Sequence, residues 1–407
     1  MWSMTQEYDV TTPLDLDYYA VFDGIPEADR AWWQRARDFT SGLEERMVGH
    51  WERGEYPTDL VREGGRLGLL SDGVDVSGLG MESLSPLAAG MVNMETSRAD
   101  GSLGTALAVQ GGLALRTLML FGSAEQKAEH AAALAQADTL GAFALTEPAH
   151  GSDSVSLETT ATLHGDEQTG RYVLNGEKKW IGNGASGGLT FTWARVANGE
   201  FDGKVRCFMV PQETAGYRGE VITGKASLRA IDQALIHFDD VELPAESVLP
   251  HSRSFKDASV VLFATRLGVA WSAVGHAAAC VEAALNYSTQ REQFSKPIGA
   301  HQLVQERLAW MVAELTSMQL HVKHVTELDA AGRLSGPQAS MAKYHNTRKA
   351  RQIAHIARDM LGGNGILLQN KVARHMADIE AIHTYEGTES VQSLIIGRDL
   401  TGFSAFA

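Results

Sequence analysis

Apolar residues recur at steps of three and four near both ends of the chain and at steps of two in its middle. From about residue 255 the helical step is sustained. Trp271, Val274, Ala278, Val281 and Leu285 form one seam; Val304, Leu308, Met311, Leu315, Met318 and Val322 form another, advancing by alternating fours and threes. Such seams predict helices packed nearly parallel in a bundle, and the methionines in them read as core filling. Pro297 and the stretch from Gly332 to Pro337 break the pattern. Residues from about 30 to 138 also read as helices. The region 85–121 is rich in Ala, Gly, Leu and Met, as expected of closely packed buried helices. Ser123 and Gln126 form a capping box opening a helix that runs to about Ala135. Between about 141 and 245 the period falls to two. Leu189, Phe191 and Trp193 alternate with Thr190, Thr192 and Ala194, and short runs at 171–176, 205–210 and 234–238 are bounded by Gly, Pro, Asn or Asp. Strands at this spacing predict a small sandwich or barrel.

The expected fold class is therefore α+β and mostly α. A loosely held acidic extension at 1–28 precedes an N-terminal helical domain at 29–140, a middle β domain at 141–250 and a C-terminal helical bundle at 251–407. The 407 residues, 44% hydrophobic and 21% charged, have an ordinary globular composition. A net charge of −15 argues against a nucleic-acid partner; an anionic ligand would need a locally basic pocket. The two cysteines, Cys207 and Cys280, make neither a disulfide framework nor a zinc motif and read as reduced intracellular thiols, which points to a cytoplasmic protein. The N-terminus lacks a basic-then-apolar layout. No apolar run is expected to reach the length of a membrane span, so no membrane partner is expected.

Common nucleotide and catalytic signatures are missing. No Gly-x-Gly-x-x-Gly follows a strand, and Gly219 to Lys225 mimics a P-loop only until Ala226, where a magnesium-holding hydroxyl is required. No metal-ligand set is evident. Four other stretches carry chemistry. In 143–153, Phe143, Leu145 and Thr146 lead into a polar loop ending at Ser152 and Asp153. In 176–184, Trp180 stands between lysines and the glycines Gly182 and Gly184. In 291–298, Arg291 and Phe294 follow a helix. In the last, Asp359, Leu361, Gly362 and Gly363 precede Tyr385, Glu386, Gly387 and Thr388. Taken singly, these fit a capped turn, a hairpin with a buried Trp, a helix cap and a glycine helix end. They equally fit a flat-ring cover, a bidentate phosphate arginine and glycines that let backbone approach a ligand.

Together and in this order, the four stretches resemble the acyl-CoA dehydrogenase family from about residue 30 to 402. The C-terminal half is most similar to the glutaryl-CoA dehydrogenase branch, through the stretch 358–365. The resemblance implies N-terminal helices, a middle β domain and a C-terminal four-helix bundle assembled as a homotetramer, with FAD as cofactor. It implies Phe143, Leu145 and Thr146 along the flavin ring, Trp180 over it and Gly182 facing it. It also implies Arg291, Phe294, Asp359, Leu361, Gly362 and Gly363 reaching the FAD of a neighbouring subunit, and Thr388 beside the diphosphate. Ser152 and Arg266 would hold the CoA portion, and Tyr385 and Gly387 would flank the acyl group.

For the reaction, the resemblance implies that Glu386 removes the α proton of an acyl-CoA thioester while the flavin takes the β hydride. The backbone N–H of the glutamate and a flavin hydroxyl would polarise the thioester carbonyl. Two departures shape the substrate. Glutaryl-CoA dehydrogenases carry an Arg-Ser pair that grips the distal carboxylate, where this chain has Gly104 and Thr105. A buried carboxylate without a partner is expensive, so a plain short or medium acyl chain is expected, Arg98 being the one nearby alternative cation. Gly182 replaces a flavin-facing Thr or Ser, a form shared with short-chain acyl-CoA oxidases. The expected electron acceptor is an electron-transfer flavoprotein, with oxygen as the alternative.

Overall fold

The computed structural model describes residues 8–406. Seven helices come first: α1 (Glu27–Thr40), α2 (Glu44–Arg53), α3 (Thr58–Arg66), α4 (Pro86–Ala99), α5 (Gly101–Ala108), α6 (Arg116–Phe121) and α7 (Ala124–Ala135). Between α5 and α6 the backbone widens into a π-helix, Val109–Leu115. Such widenings are rare and often mark functional positions. The expected capping box is present: Ser123 accepts from the Gln126 N–H and the Gln126 side chain accepts from the Ser123 N–H.

Seven strands form one mixed sheet: β1 (Gly141–Ala144), β2 (Thr160–His164), β3 (Arg171–Gly182), β4 (Leu189–Val196), β5 (Val205–Pro211), β6 (Tyr217–Val221) and β7 (Gln233–Pro244). β1 and β2 both run parallel to β4, along different stretches of it, while β5 pairs with it antiparallel. The remaining neighbours, β2 with β3, β3 with β7 and β7 with β6, are antiparallel. The sheet curls. Its inner face encloses Tyr172, Leu174, Phe208, Ile236 and Phe238. Its other face carries Phe143, Phe191 and Trp193 against Leu115, Leu118, Phe121 and Leu134 of the N-terminal helices. Because both faces are covered, Thr190 and Thr192 are as buried as the apolar residues between them. The threonines of β4 therefore do not mark a solvent face.

The C-terminal part is α8 (Phe255–Gln290), a β8–β9 hairpin (Glu292–Gln293, Lys296–Pro297), α9 (Gln302–Ala330), α10 (Gly336–Met360), α11 (Val372–Thr384) and α12 (Glu389–Thr401). Both expected seams lie in the bundle core, with Trp271, Val274, Val281, Met311, Leu315, Met318 and Val322 buried. Both cysteines are buried and unpaired.

Two expectations need correction. The acidic extension is not loosely held from residue 8 onward: Val10, Val21, Phe22 and Ile25 are buried in the bundle core. Backbone contacts pin it to α8, where the Leu14 N–H donates to Glu282 (2.7 Å) and the Asn286 side chain donates to the Thr12 carbonyl (2.9 Å). Four apolar side chains among acidic ones are enough to dock it. Second, Gly101–Phe121 and Phe255–Gln290 are long and apolar enough to span a membrane by length and composition alone. Both are mostly buried against protein, which explains their apolarity as core packing.

Candidate active site

Glu386 lies in the turn between α11 and α12, and its location follows from backbone geometry. Glu386 has φ 58° and Gly387 φ 85°, a region unfavourable for side chains other than glycine. Two residues hold that turn. Lys343 on α10 donates from Nζ to the carbonyls of Tyr385 and Gly387, and to that of His383 at 3.4 Å. Gln392 on α12 donates to the carbonyls of Glu386 (2.9 Å) and Gly387 (3.0 Å). A Cβ at position 387 would stand 2.6 Å from Gln392 Nε2, so glycine is required there for space as well as for φ.

The Glu386 carboxyl points inward. Its Oε1 accepts a hydrogen bond from the Thr265 hydroxyl on α8, and it makes no ion pair among the described residues. Burial pushes its proton affinity above the ordinary carboxylate range. The Thr265 hydroxyl and the cations Arg266 and Lys343 pull the other way, and the Asp72 carboxylate adds to the rise. Burial likewise lowers Lys343 to about 7, against the attraction of Glu386 and Glu389. Asp72 sits under this group, accepting from Asn93 (2.7 Å) and facing Arg116. The glycines of the π-helix allow that approach: a Cβ on Gly112 would be 2.4 Å from Asp72 and 3.3 Å from Thr265.

Around this carboxyl the structure gathers several of the expected residues. Arg266 donates to Ser340 (3.1 Å), and its buried Nε has no partner among the described residues. Burial disfavours its charge, offset by Glu386. The Tyr385 phenol is held neutral by burial. Thr105 is buried, its hydroxyl beside the Tyr385 phenol. Thr388 caps α12, accepting from the Val391 N–H. Gly104 faces α4 so closely that a Cβ would meet Ser97 Oγ at 2.4 Å; it is a helix-packing glycine. Arg98, the alternative cation, is committed to Glu282 (2.5 Å) and Glu95 (3.1 Å).

The residues expected along a flat ring form a separate group. The Lys179 N–H donates to the Thr146 carbonyl (2.8 Å), joining the end of β1 to the β3 bulge that carries Trp180. Trp180 has φ 66° and is 51% exposed, so it is not the buried Trp of a hairpin. The Thr146 hydroxyl makes no hydrogen bond among the described residues. Gly182 is covered by Val109 of the π-helix, whose methyls would lie 3.2 and 3.3 Å from a Cβ. The π-helix thus touches both groups, Gly182 through Val109 and Thr265 through Gly112. Phe143 and Leu145 are buried with Trp193 against the N-terminal helices. Ser152 is exposed in the following loop.

Arg291, Phe294, Asp359, Leu361, Gly362 and Gly363 are not brought to Glu386. At 1.5 Å per residue, Arg291 is about 39 Å along α8 from Thr265. Phe294 is 89% exposed at the hairpin tip, Leu361 is buried, and Asp359 pairs with Arg307 (2.6 Å). Sequence reasoning missed Lys343, Thr265, Asp72 and Gln392. Lys343 had one signal, a lysine on the small-residue face formed by Ala339, Ala342, Asn346 and Ala350.

Comparison with known proteins agrees with this arrangement. The chain matches the models of the acyl-CoA dehydrogenase N-terminal domain over residues 26–138, the middle domain over 142–241 and the C-terminal domain over 255–401. It is 34% identical over 351 residues to an acyl-CoA dehydrogenase of Bacillus subtilis, covering 86% of this chain and 91% of that one. It is 32% identical to the mitochondrial short-chain specific acyl-CoA dehydrogenase of Mus musculus, covering 92% and 90%. A glutaryl-CoA dehydrogenase from Mycobacterium smegmatis, solved in complex with FADH2, superposes with a TM-score of 0.90 at 34% identity, covering 95% and 98%. The chain therefore belongs to the acyl-CoA dehydrogenase family of oxidoreductases.

Proposed function

We propose that this protein dehydrogenates an acyl-CoA thioester carrying a short or medium, uncharged acyl group to the trans-2-enoyl-CoA, with FAD as cofactor and Glu386 as the base. The observation that carries this is the Glu386 carboxyl: inward-facing, free of ion pairs among the described residues, raised in proton affinity by burial, and mounted on a turn clamped by Lys343 and Gln392. A carboxyl with raised proton affinity is the kind of base that removal of a weakly acidic α proton asks for.

The residues present fit a flavin. Trp180 projects half-exposed next to Lys179, whose N–H ties this strand to the Thr146 carbonyl, and the Thr146 hydroxyl has no partner among the described residues. Thr146, Trp180 and Gly182 would hold the ring, with Phe143 and Leu145 behind them in the core. When bound, the flavin supplies the acceptor for the β hydride. The chain's own part is to hold the substrate and move one proton. The Glu386 N–H, which finds no acceptor among the described residues, is available to the thioester carbonyl and would stabilise charge developing there. Thr265 fixes the carboxyl by its hydroxyl, and Tyr385 and Thr105 wall the acyl pocket. Position 104, where glutaryl-CoA dehydrogenases carry the arginine, has no cation and Arg98 is engaged elsewhere, which supports an uncharged acyl tail over glutaryl. Arg291, Phe294 and the 359–363 stretch would serve the FAD of a neighbouring subunit in a homotetramer, and electrons would pass to an electron-transfer flavoprotein. Another reading, transfer to oxygen, is favoured by Gly182, which offers no side-chain hydrogen bond to the ring; peroxide formation during aerobic turnover without added acceptor separates the two.

The test is anaerobic addition of butyryl-, octanoyl- and glutaryl-CoA to the flavin-loaded protein, following visible flavin absorbance. Bleaching by the uncharged thioesters and not by glutaryl-CoA is expected. Bleaching by glutaryl-CoA alone would contradict the substrate assignment, and bleaching by none would contradict the reaction.

A further inference from the structure

Tyr8 of the N-terminal extension contacts the arginine assigned above to a neighbouring subunit's cofactor. Tyr8 accepts a hydrogen bond from Arg291 Nη1 (2.9 Å), and the guanidinium lies over its ring, 5.9 Å from the centroid. The tyrosine ring also packs edge-on against Tyr287, 5.0 Å between centroids at 75°. The Tyr287 hydroxyl in turn accepts from the Asn364 side chain (3.1 Å), within the glycine stretch that follows α10. One aromatic pair thus joins Arg291 to the Gly362–Gly363 turn.

The segment that delivers Tyr8 is anchored independently of it. The Asp9 N–H donates to Gln290 Oε1 (3.0 Å), and Gln290 Nε2 donates back to the Asp9 carbonyl (2.6 Å). Thr12, Leu14 and Val10 then lie along α8, through Asn286, Glu282 and the bundle core. An arginine is a flexible cation whose five N–H donors lie in one plane. A hydrogen bond at Nη1 and the nearby ring restrain that plane, so less side-chain freedom remains to be lost when a phosphate binds.

We propose that Tyr8 is a positioning residue for cofactor binding: the N-terminal extension is a strap that holds Arg291 and the Asn364 turn in the orientation that receives the diphosphate-bearing part of FAD from a neighbouring subunit. This rests on the assignment of Arg291 to FAD made above. The strap acts on cofactor affinity and not on the chemical step, because Tyr8 sits at the opposite end of α8 from Glu386.

The test is a double-mutant cycle read by titrating the apoprotein with FAD and following flavin fluorescence, with thermal unfolding of each variant alongside. Tyr8→Ala is expected to weaken FAD binding about tenfold, and Tyr8→Phe, which keeps the ring, about threefold. The rate of flavin reduction by butyryl-CoA at saturating FAD should stay unchanged. In an Arg291→Ala background, Tyr8→Ala should have no further effect on FAD. Unchanged FAD affinity in Tyr8→Ala, with Arg291→Ala still weak, would overturn the strap alone. An equal loss from Tyr8→Ala in both backgrounds would also overturn it, marking general destabilisation. Wild-type FAD affinity in Arg291→Ala would overturn the Arg291 assignment and the strap with it. Should Tyr8→Ala lower the unfolding temperature, the folded Tyr8→Phe variant carries the comparison.

Discussion

The two ends of α8 are built on opposite plans. Near Thr265 everything needed to hold one carboxyl comes from this chain: Lys343 from α10, Gln392 from α12, Thr265 and Arg266 from α8, and Asp72 from the loop after α3. Lys343, Gln392 and Thr265 are buried, and Arg266 and Asp72 partly so. Near Arg291 the residues face outward. Phe294 is almost fully exposed on a hairpin tip, Gly362 and Gly363 have open space around them, and Arg291 is contacted by Tyr8 of the N-terminal extension. The Thr265 end is complete within one chain, whereas the Arg291 end has the form of half a site. On the function proposed above, base placement is a property of the folded chain, whereas cofactor retention depends on assembly.

The largest effect should come from the outward end. Arg291→Glu puts a like charge where a phosphate is expected and should weaken FAD binding by about a hundredfold or more, measured by fluorescence titration, with the thermal unfolding of the apoprotein close to wild type. Dilution should act in the same direction, releasing flavin as subunits separate in sedimentation. Flavin retained by dissociated chains would break the comparison.

At the inward end, Lys343→Met removes the clamp on the Glu386 turn while keeping side-chain volume. Flavin reduction by butyryl-CoA should slow by about tenfold to a hundredfold, with FAD affinity unchanged. A loss confined to FAD affinity would reverse the assignment of Lys343 to the base.

Titration sharpens the point. Burial raises the Glu386 pKa, so the ionised base accumulates only as pH climbs through that raised value, and flavin reduction should rise with pH there. Thr265→Val removes a hydrogen bond that favours the ionised form, and should shift the profile to higher pH. The stability consequence has a definite sign. The folded state keeps this proton to higher pH than the unfolded chain, so the group contributes falling stability from its ordinary 4.5 upward through the raised value. Glu386→Gln should therefore raise the unfolding temperature of the apoprotein more at pH 8 than at pH 4. The smallest effect expected is Gly104→Ala, which forces a methyl against Ser97 and should destabilise by about 1–3 kcal/mol in denaturant titration, leaving FAD binding intact.

The seams of α8 and α9 were legible in the sequence because a bundle core repeats locally, and Ser123 and Gln126 announced a helix start because capping is local too. The topology of the sheet was not legible. The parallel pairing of β1 and β2 with β4 depends on curling, which buries Thr190 and Thr192 against the alternation expected. The docking of the extension was hidden because acidic residues outnumber the few buried apolar ones. Glu386, Tyr385 and Gly387 stood out as adjacent residues. Thr265 and Lys343 join them only through contacts 121 and 42 residues apart in sequence, and no local pattern encodes such contacts.

The most direct test of the base is rapid mixing of flavin-loaded Glu386→Gln with butyryl-CoA without oxygen. Bound FAD and thioester affinity should match the wild type while the rate of flavin bleaching drops by about a thousandfold or more. Bleaching at the wild-type rate would place the proton acceptor on another residue.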